Sequence, residues 1–362
     1  MATLYNKTWS RNELLYRVGD INQVAGITPV ELTDGNSRGI RALRFTTGSG
    51  LSFTVLPDRG MDIYDANYNG AALGWQSCTG PVAPAFFEPE GAGWLRSFAG
   101  GLLTTCGLEN AGPSVEDQHE TFGLHGRISH CPAKSVAWGA DWEGDEYVLW
   151  ASGIVRETRV FGVNLVLRRS IHARLGQSRI WIQDEIENQG FEETEMMLLY
   201  HFNIGFPVVD AGSELLAVIE DLEARDKVAE PGIDTFDSFE EPQAGYLEQC
   251  FFIDQDIDER GIVNSAIVNR HFNNNQGIGF FIAYPREELP RFTQWKMMNR
   301  GTYVVGLEPG TCLPEGRLMA RKRGDIKTLL PGGSWKTHIE LGVLTSNNDI
   351  RAFESKLRGM DL

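Results

Sequence analysis

The chain has 362 residues, and 33 lysines and arginines against 49 aspartates and glutamates leave a formal charge of −16. Such an excess argues against a nucleic-acid partner, whose phosphates call for a basic surface. With 42% hydrophobic and 10% aromatic residues, the composition is that of a globular chain with a large core, neither disordered nor fibrous.

In chain order, the first residues are polar (Lys7, Arg11, Glu13) and lack an apolar signal core. No run of about 18 apolar residues follows anywhere to span a membrane, so a cytoplasmic protein with no membrane partner is expected. Ser10 with Glu13 three residues on forms a capping-box signature and predicts a short helix carrying Leu14 and Leu15. Strand text comes next, at residues 42–47 and 51–56. The Gly- and Pro-rich stretch 80–93 and the Asn-rich stretch 273–277 are short and lie between apolar runs, so they are loops and not linkers. From 147 to 184, Val, Ile, Leu and Trp alternate with polar residues between brief Gly-bearing breaks, which predicts a meander of long strands. Further strands are expected at 196–202, 277–284, 303–307 and 335–345, and Asn348 is expected to cap a last helix carrying Ile350, Phe353 and Leu357. Cys78, Cys106, Cys131, Cys250 and Cys312 are scattered and odd in number, which fits reduced thiols better than a disulfide framework. The expectation is one mainly β domain over residues 1–362, a large antiparallel two-sheet β-sandwich with few short helices.

The sequence contains no GxGxxG, Walker A, GxSxG or HExxH text and no CxxC pair, so dinucleotide, nucleotide, serine-hydrolase and zinc chemistry lack motif support. Three ionisable residues stand in unusual settings instead. His125 lies in Phe122-Gly-Leu-His-Gly-Arg127, where flanking glycines would let a ligand approach the backbone. His201 follows the apolar run Met196-Met-Leu-Leu-Tyr200 and is expected where that strand turns into an irregular loop. Glu308 is expected to end the strand 303–307, just before Pro309 and Gly310. Strand ends beside ladder-breaking residues are common places for chemistry. A lone His or Glu there is more often a hydrogen-bonded structural residue, so no one of the three establishes a function by itself.

The order of these segments, with Leu330-Pro-Gly-Gly-Ser-Trp335 before the final strand, resembles the aldose 1-epimerases of the galactose-mutarotase-like superfamily. The resemblance runs from about Asp58-Arg-Gly60 onward and is closest to a bacterial branch. Its text around Phe98-Ala-Gly-Gly-Leu-Leu-Thr-Thr-Cys-Gly107 and Phe292-Thr-Gln-Trp-Lys296 differs from that of the galactose enzymes. It implies the large sandwich of that family, with His201 as general acid and Glu308 as general base in interconverting sugar anomers. Opening a cyclic hemiacetal needs a base at the anomeric hydroxyl and an acid at the ring oxygen, and neither metal nor organic cofactor. By the same resemblance His125 and Arg96 would contact the monosaccharide. Gln294, Trp295 and Lys296 are further substrate-binding candidates, although strand alternation sends Gln294 and Lys296 to one side and Trp295 to the other. Arg59 and Arg127 are explained equally well as ion-paired or surface residues. The family's hydroxyl-holding aspartate has no clear match; Asp210 and the segment 221–226 are candidates.

Two other readings compete. His119, Glu120, His125 and His130 fall close together and supply metal-ligand chemistry for a metal-dependent sugar isomerase, though at no recognised ligand spacing. A non-catalytic carbohydrate-binding protein on the same fold is the other, disfavoured by the presence of both His201 and Glu308. The charge is also localised. Residues 184–260 hold 22 acidic and 3 basic residues, which suggests a solvated face or a long insertion, so the overall charge does not exclude an anionic sugar.

Overall fold

The computed structural model describes residues 1–359. It is mainly β, built on three large antiparallel sheets. A nine-stranded sheet begins with the predicted meander, whose strands Lys134–Glu143, Glu146–Thr158, Asn164–Arg174 and Arg179–Asn188 pair in sequence. It continues through Ser334–Leu344, Ile278–Pro285 and Ile262–Asn269 to two short strands. A seven-stranded sheet takes Leu103–Leu108, Thr194–Gly205, Thr302–Gly310, Arg291–Asn299, Gln249–Gln255 and Ile219–Ala224 in that spatial order, with Lys327–Leu329 as the seventh, paired to the start of Thr194–Gly205. The third sheet holds five strands from the N-terminal part, among them Arg41–Thr46 and Leu51–Leu56.

Alternation decides what these sheets bury. Along Thr194–Gly205 the even residues Met196, Leu198, Tyr200, Phe202 and Ile204 join one hydrophobic cluster with Leu165, Leu167, Ile171, Ile180 and Ile182 of the nine-stranded sheet. Odd residues of the same strand point the other way, where Met197 and Leu199 join a smaller cluster with Trp94, Phe98, Cys106 and Cys312. A strand polar or half-polar on one face would expose its odd residues; this one is buried on both. Segments 73–101 and 107–127 cover that second face.

The capping box at Ser10 and Glu13 is formed and opens the helix Arg11–Leu15. The last helix, Asn347–Leu357, is capped by Ser346 and not by Asn348: the Ser346 hydroxyl accepts from the Asp349 amide. A helix at Arg317–Arg323, bounded by Gly316 and Gly324, was not expected from the sequence; its basic surface gives no apolar stripe. No helix among the described residues is long and apolar enough to cross a membrane. The acidic stretch 184–260 is mostly not an insertion loop. It supplies Thr194–Gly205, part of Arg179–Asn188 and four further strands of the two larger sheets.

Candidate functional site

His201 and Glu308 are neither at strand ends nor on loops. The ladder continues past His201 through Asn203 and Gly205, and past Glu308 to Gly310, so both sit within regular strands on the outward face of the seven-stranded sheet. The register that pairs Phe202 with Leu307 and Leu199 with Gly310 sets His201 directly across from Glu308. Thr104 and Thr293 extend the row on either side. Side chains opposite one another in such a ladder are about 5 Å apart at Cβ, within reach of a hydrogen bond. His201 Nε2 lies 3.1 Å from Glu308 Oε1, with both side chains almost fully buried.

The pair fits because Gly306 faces it. A Cβ at that position would lie 2.6 Å from Glu308 Oε1 and 3.3 Å from His201 Cε1. Burial governs the protonation of both groups. It raises the Glu308 carboxyl to about 8, helped by nearby Glu248 and opposed by Arg225. It lowers His201 to about 3, helped by His125. The favoured state is therefore a neutral imidazole beside a protonated carboxyl, one proton held between two groups.

Aromatic rings wall this dyad. Phe98 and Trp295 meet the His201 ring edge to face at 5.5 and 5.4 Å, and Trp75 packs on both at 6.0 and 6.3 Å. Within this wall, His201 Nδ1, Asn203 Oδ1, Thr293 Oγ1 and Trp94 Nε1 are buried without a hydrogen-bond partner. Buried polar atoms are normally satisfied, so four unpaired ones around one dyad mark a surface suited to a hydroxylated ligand.

His125 joins the site from the covering segment, its ring 6.1 Å from that of His201 and 4.8 Å from Trp94. Its Nδ1 accepts from the Gly112 amide at 3.3 Å, which leaves the proton on Nε2 as a donor. Burial, with Arg225 adding to it, lowers this imidazole to about 4. The glycines around Leu124-His125 serve the protein's own backbone: Cβ atoms at Gly123 and Gly126 would lie 2.1 Å from Pro89 O and 2.2 Å from Gly107 O. Asn110, fully buried, ties the loop together, accepting from the Arg317 amide and donating to Pro113 O and Gly123 O.

The remaining candidates divide. Trp295 faces the dyad. Gln294 and Lys296, on the same strand, face the core side with Phe292 and Met298, which corrects their assignment as substrate-binding residues. Gln294 donates to Phe236 O at 2.6 Å; Lys296 donates to Thr235 O and Ser238 O and pairs with Glu240 at 2.9 Å. Both pin the segment 235–240 to the sheet. Arg96 ends a short 3-10 turn with its side chain 75% exposed and paired with Glu88, while its neighbour Trp94 carries the contact to His125. Arg59 is a buried tie, donating to Val82 O, Ser97 O and Ser129 O. Arg127 is exposed. His119 sits exposed in a hairpin turn, and His130 stacks on Phe87 and accepts from Arg59 at 3.0 Å, so these histidines do not converge with His125 on a metal.

The wall across from His125 escaped the sequence reading. Arg225 pairs with Asp226 at 2.8 Å and Glu248 at 3.1 Å and donates to Cys250 Sγ at 2.9 Å; Glu248 also accepts from Trp295 Nε1 at 3.1 Å. Cys250 is the cross-strand partner of Trp295, which places the group on the site face. One signal was available: Arg225 is one of only three basic residues in the acidic stretch. Asp210 caps its own loop by accepting from the Ala211 amide, and of the aspartates considered Asp226 is the one tied to this wall.

A family model described as "Domain of unknown function (DUF4432)" matches residues 37–343. No curated protein matches the chain. Among solved structures, a Klebsiella pneumoniae protein provisionally named an aldose 1-epimerase superposes with a TM-score of 0.88 at 26% identity, covering 94% of this chain and 90% of its own. A galactose mutarotase-like protein from Clostridium acetobutylicum gives 0.60 at 15% identity, over 90% of this chain and all of that one. Galactose 1-epimerase from Lactobacillus acidophilus gives 0.53 at 13% identity, over 89% and 100%. The fold is thus the galactose-mutarotase-like sandwich anticipated from the motifs.

Proposed function

We propose that this protein, which belongs to the DUF4432 family, is an isomerase of aldose 1-epimerase type that exchanges the anomers of a monosaccharide by acid–base catalysis at His201 and Glu308. The observation that carries the reading is the buried 3.1 Å contact between these two side chains within an aromatic wall. Proton transfer from the Glu308 carboxyl to His201 gives a carboxylate and an imidazolium, the reactive form. Glu308 then takes the proton of the anomeric hydroxyl while His201 protonates the ring oxygen; the C1–ring-oxygen bond breaks and the C1 carbonyl forms. The dyad ends with the proton on Glu308, the state that burial favours. After rotation about C1–C2, ring closure runs the same transfers backwards and yields the other anomer.

Trp295, Phe98 and Trp75 supply flat apolar surface for a sugar face, and the His125 Nε2–H supplies a donor. Proton transfer alone suffices, so the reading assigns no metal or organic cofactor. It also takes the chain as one cytoplasmic domain, supported by a hydrophobic cluster that runs through all three large sheets. The test is an NMR anomer-exchange screen of neutral and acidic aldoses. Exchange accelerated by wild type and lost in His201→Asn is expected; no acceleration with any aldose would sink the proposal.

A further inference from the structure

The site holds one cation that no sequence motif assigned, and its surroundings cancel it. The Arg225 guanidinium spends Nε on Asp226, Nη1 on Cys250 Sγ and Nη2 on Glu248. Asp226 is itself committed, accepting from the Val228 and Ala229 amides. Glu248 reaches both ways, one oxygen on Arg225 and the other on the Trp295 indole that walls the dyad. Three charged groups, two of them carboxylates, thus form this wall, and the other ionisable groups of the site, His125, His201 and Glu308, are held neutral by burial. The two basic substrate-binding candidates are spent elsewhere: Lys296 on the far face of the sheet with Glu240, Arg96 in solvent with Glu88.

We propose that Glu248 sets the charge selectivity of the site: by holding Arg225 it turns a potentially anion-binding wall into one that accepts an uncharged sugar and repels an anionic one. The inference rests on the sugar-binding reading above but not on catalysis. A hydroxyl can bridge a guanidinium N–H and a carboxylate oxygen at once, whereas a carboxylate or phosphate would meet two acids against one base. Removing Glu248 releases Nη2 and one negative charge while leaving the Asp226 clamp intact, and Gln at this position still offers an oxygen to Trp295. Because Glu248 is half-exposed, the change does not threaten folding.

Binding is read by saturation-transfer NMR with glucose, galactose, glucuronate and glucose 6-phosphate, each already equilibrated between its anomers so that turnover changes no concentration. The unsubstituted chain should bind the neutral sugars better than their anionic counterparts. Glu248→Gln should raise relative affinity for the anionic pair by about tenfold, the size expected for removing one like charge near a partly screened ligand. In the catalytically intact chain, the same substitution should also move the alkaline limb of the pH profile downward, because Glu248 helps hold Glu308 protonated. A preference for the anionic sugars before substitution, an unchanged preference after it, or no binding of either class overturns the inference. Selective binding of neutral sugars without anomer exchange in the intact chain would instead overturn the catalytic reading alone.

Discussion

Tyr200 and His201 are consecutive residues that point to opposite faces of one sheet, and the two faces handle buried polarity in opposite ways. Behind Tyr200, Arg169 donates to Asp184 at 2.9 and 2.7 Å, to Asp62 at 2.8 Å and to Thr105, while the Tyr200 hydroxyl donates to Asp184 at 2.5 Å. That network lies between sheets and its charges are paired. Around His201, a similar density of buried polar groups leaves His201 Nδ1, Asn203 Oδ1 and Thr293 Oγ1 without partners. A saturated network holds a fold together, because any member removed strands the rest. An unsaturated one costs stability and retains recognition capacity.

The largest expected effect breaks this contrast from both sides. His201→Asn and Glu308→Gln should each lower anomer exchange by about 10³-fold, the double variant no worse than either single, with urea midpoints close to wild type at about pH 5 for Glu308→Gln and about pH 7 for His201→Asn. Asp184→Asn should do the reverse, destabilising by about 3–5 kcal/mol because it removes one of the two buried carboxylates that pair with Arg169, while the folded fraction keeps its activity. Equal stability losses on the two faces would remove the distinction.

A smaller effect is expected at Gly306. Its added Cβ would displace the Glu308 carboxyl from His201, so Gly306→Ala should cost roughly 10² in exchange rate and about 1–3 kcal/mol in stability. Normal activity in a normally folded Gly306→Ala variant would show that the 3.1 Å contact is not needed.

A further effect is a pH signature. Glu308 is raised from 4.5 to about 8, so its contribution to stability is full below 4.5 and is lost as the pH climbs through 8. His201 is lowered from 6.5 to about 3; its contribution is full above 6.5 and lost as the pH falls through 3. Glu308→Gln removes only the alkaline loss. Its thermal midpoint should therefore exceed that of wild type at about pH 9 and match it at about pH 5, and identical profiles would contradict the burial of an ionisable carboxyl there.

Much of the architecture was legible in the residues. Period-two alternation from 147 to 184 marked the meander, and the Ser10–Glu13 spacing marked the first helix, because both signals depend on neighbours in sequence. His201, Glu308 and His125 were legible through motif order. Their setting was not: the end of the apolar run at Tyr200 and the Pro309-Gly310 pair suggested broken ladders, yet both strands continue because partners across the sheet accept them.

The sequence by itself determined the strands, their two-faced alternation and the family resemblance, including the parity that separates Trp295 from Gln294 and Lys296. Only the tertiary structure decided which parity faces the dyad, since alternation fixes relative direction and not the side on which another sheet will pack. The same holds for the contact between residues 201 and 308 and for the wall joining Arg225, Glu248 and Trp295. Each comes from strand register across long loops, a property of pairing between distant segments that no local pattern encodes.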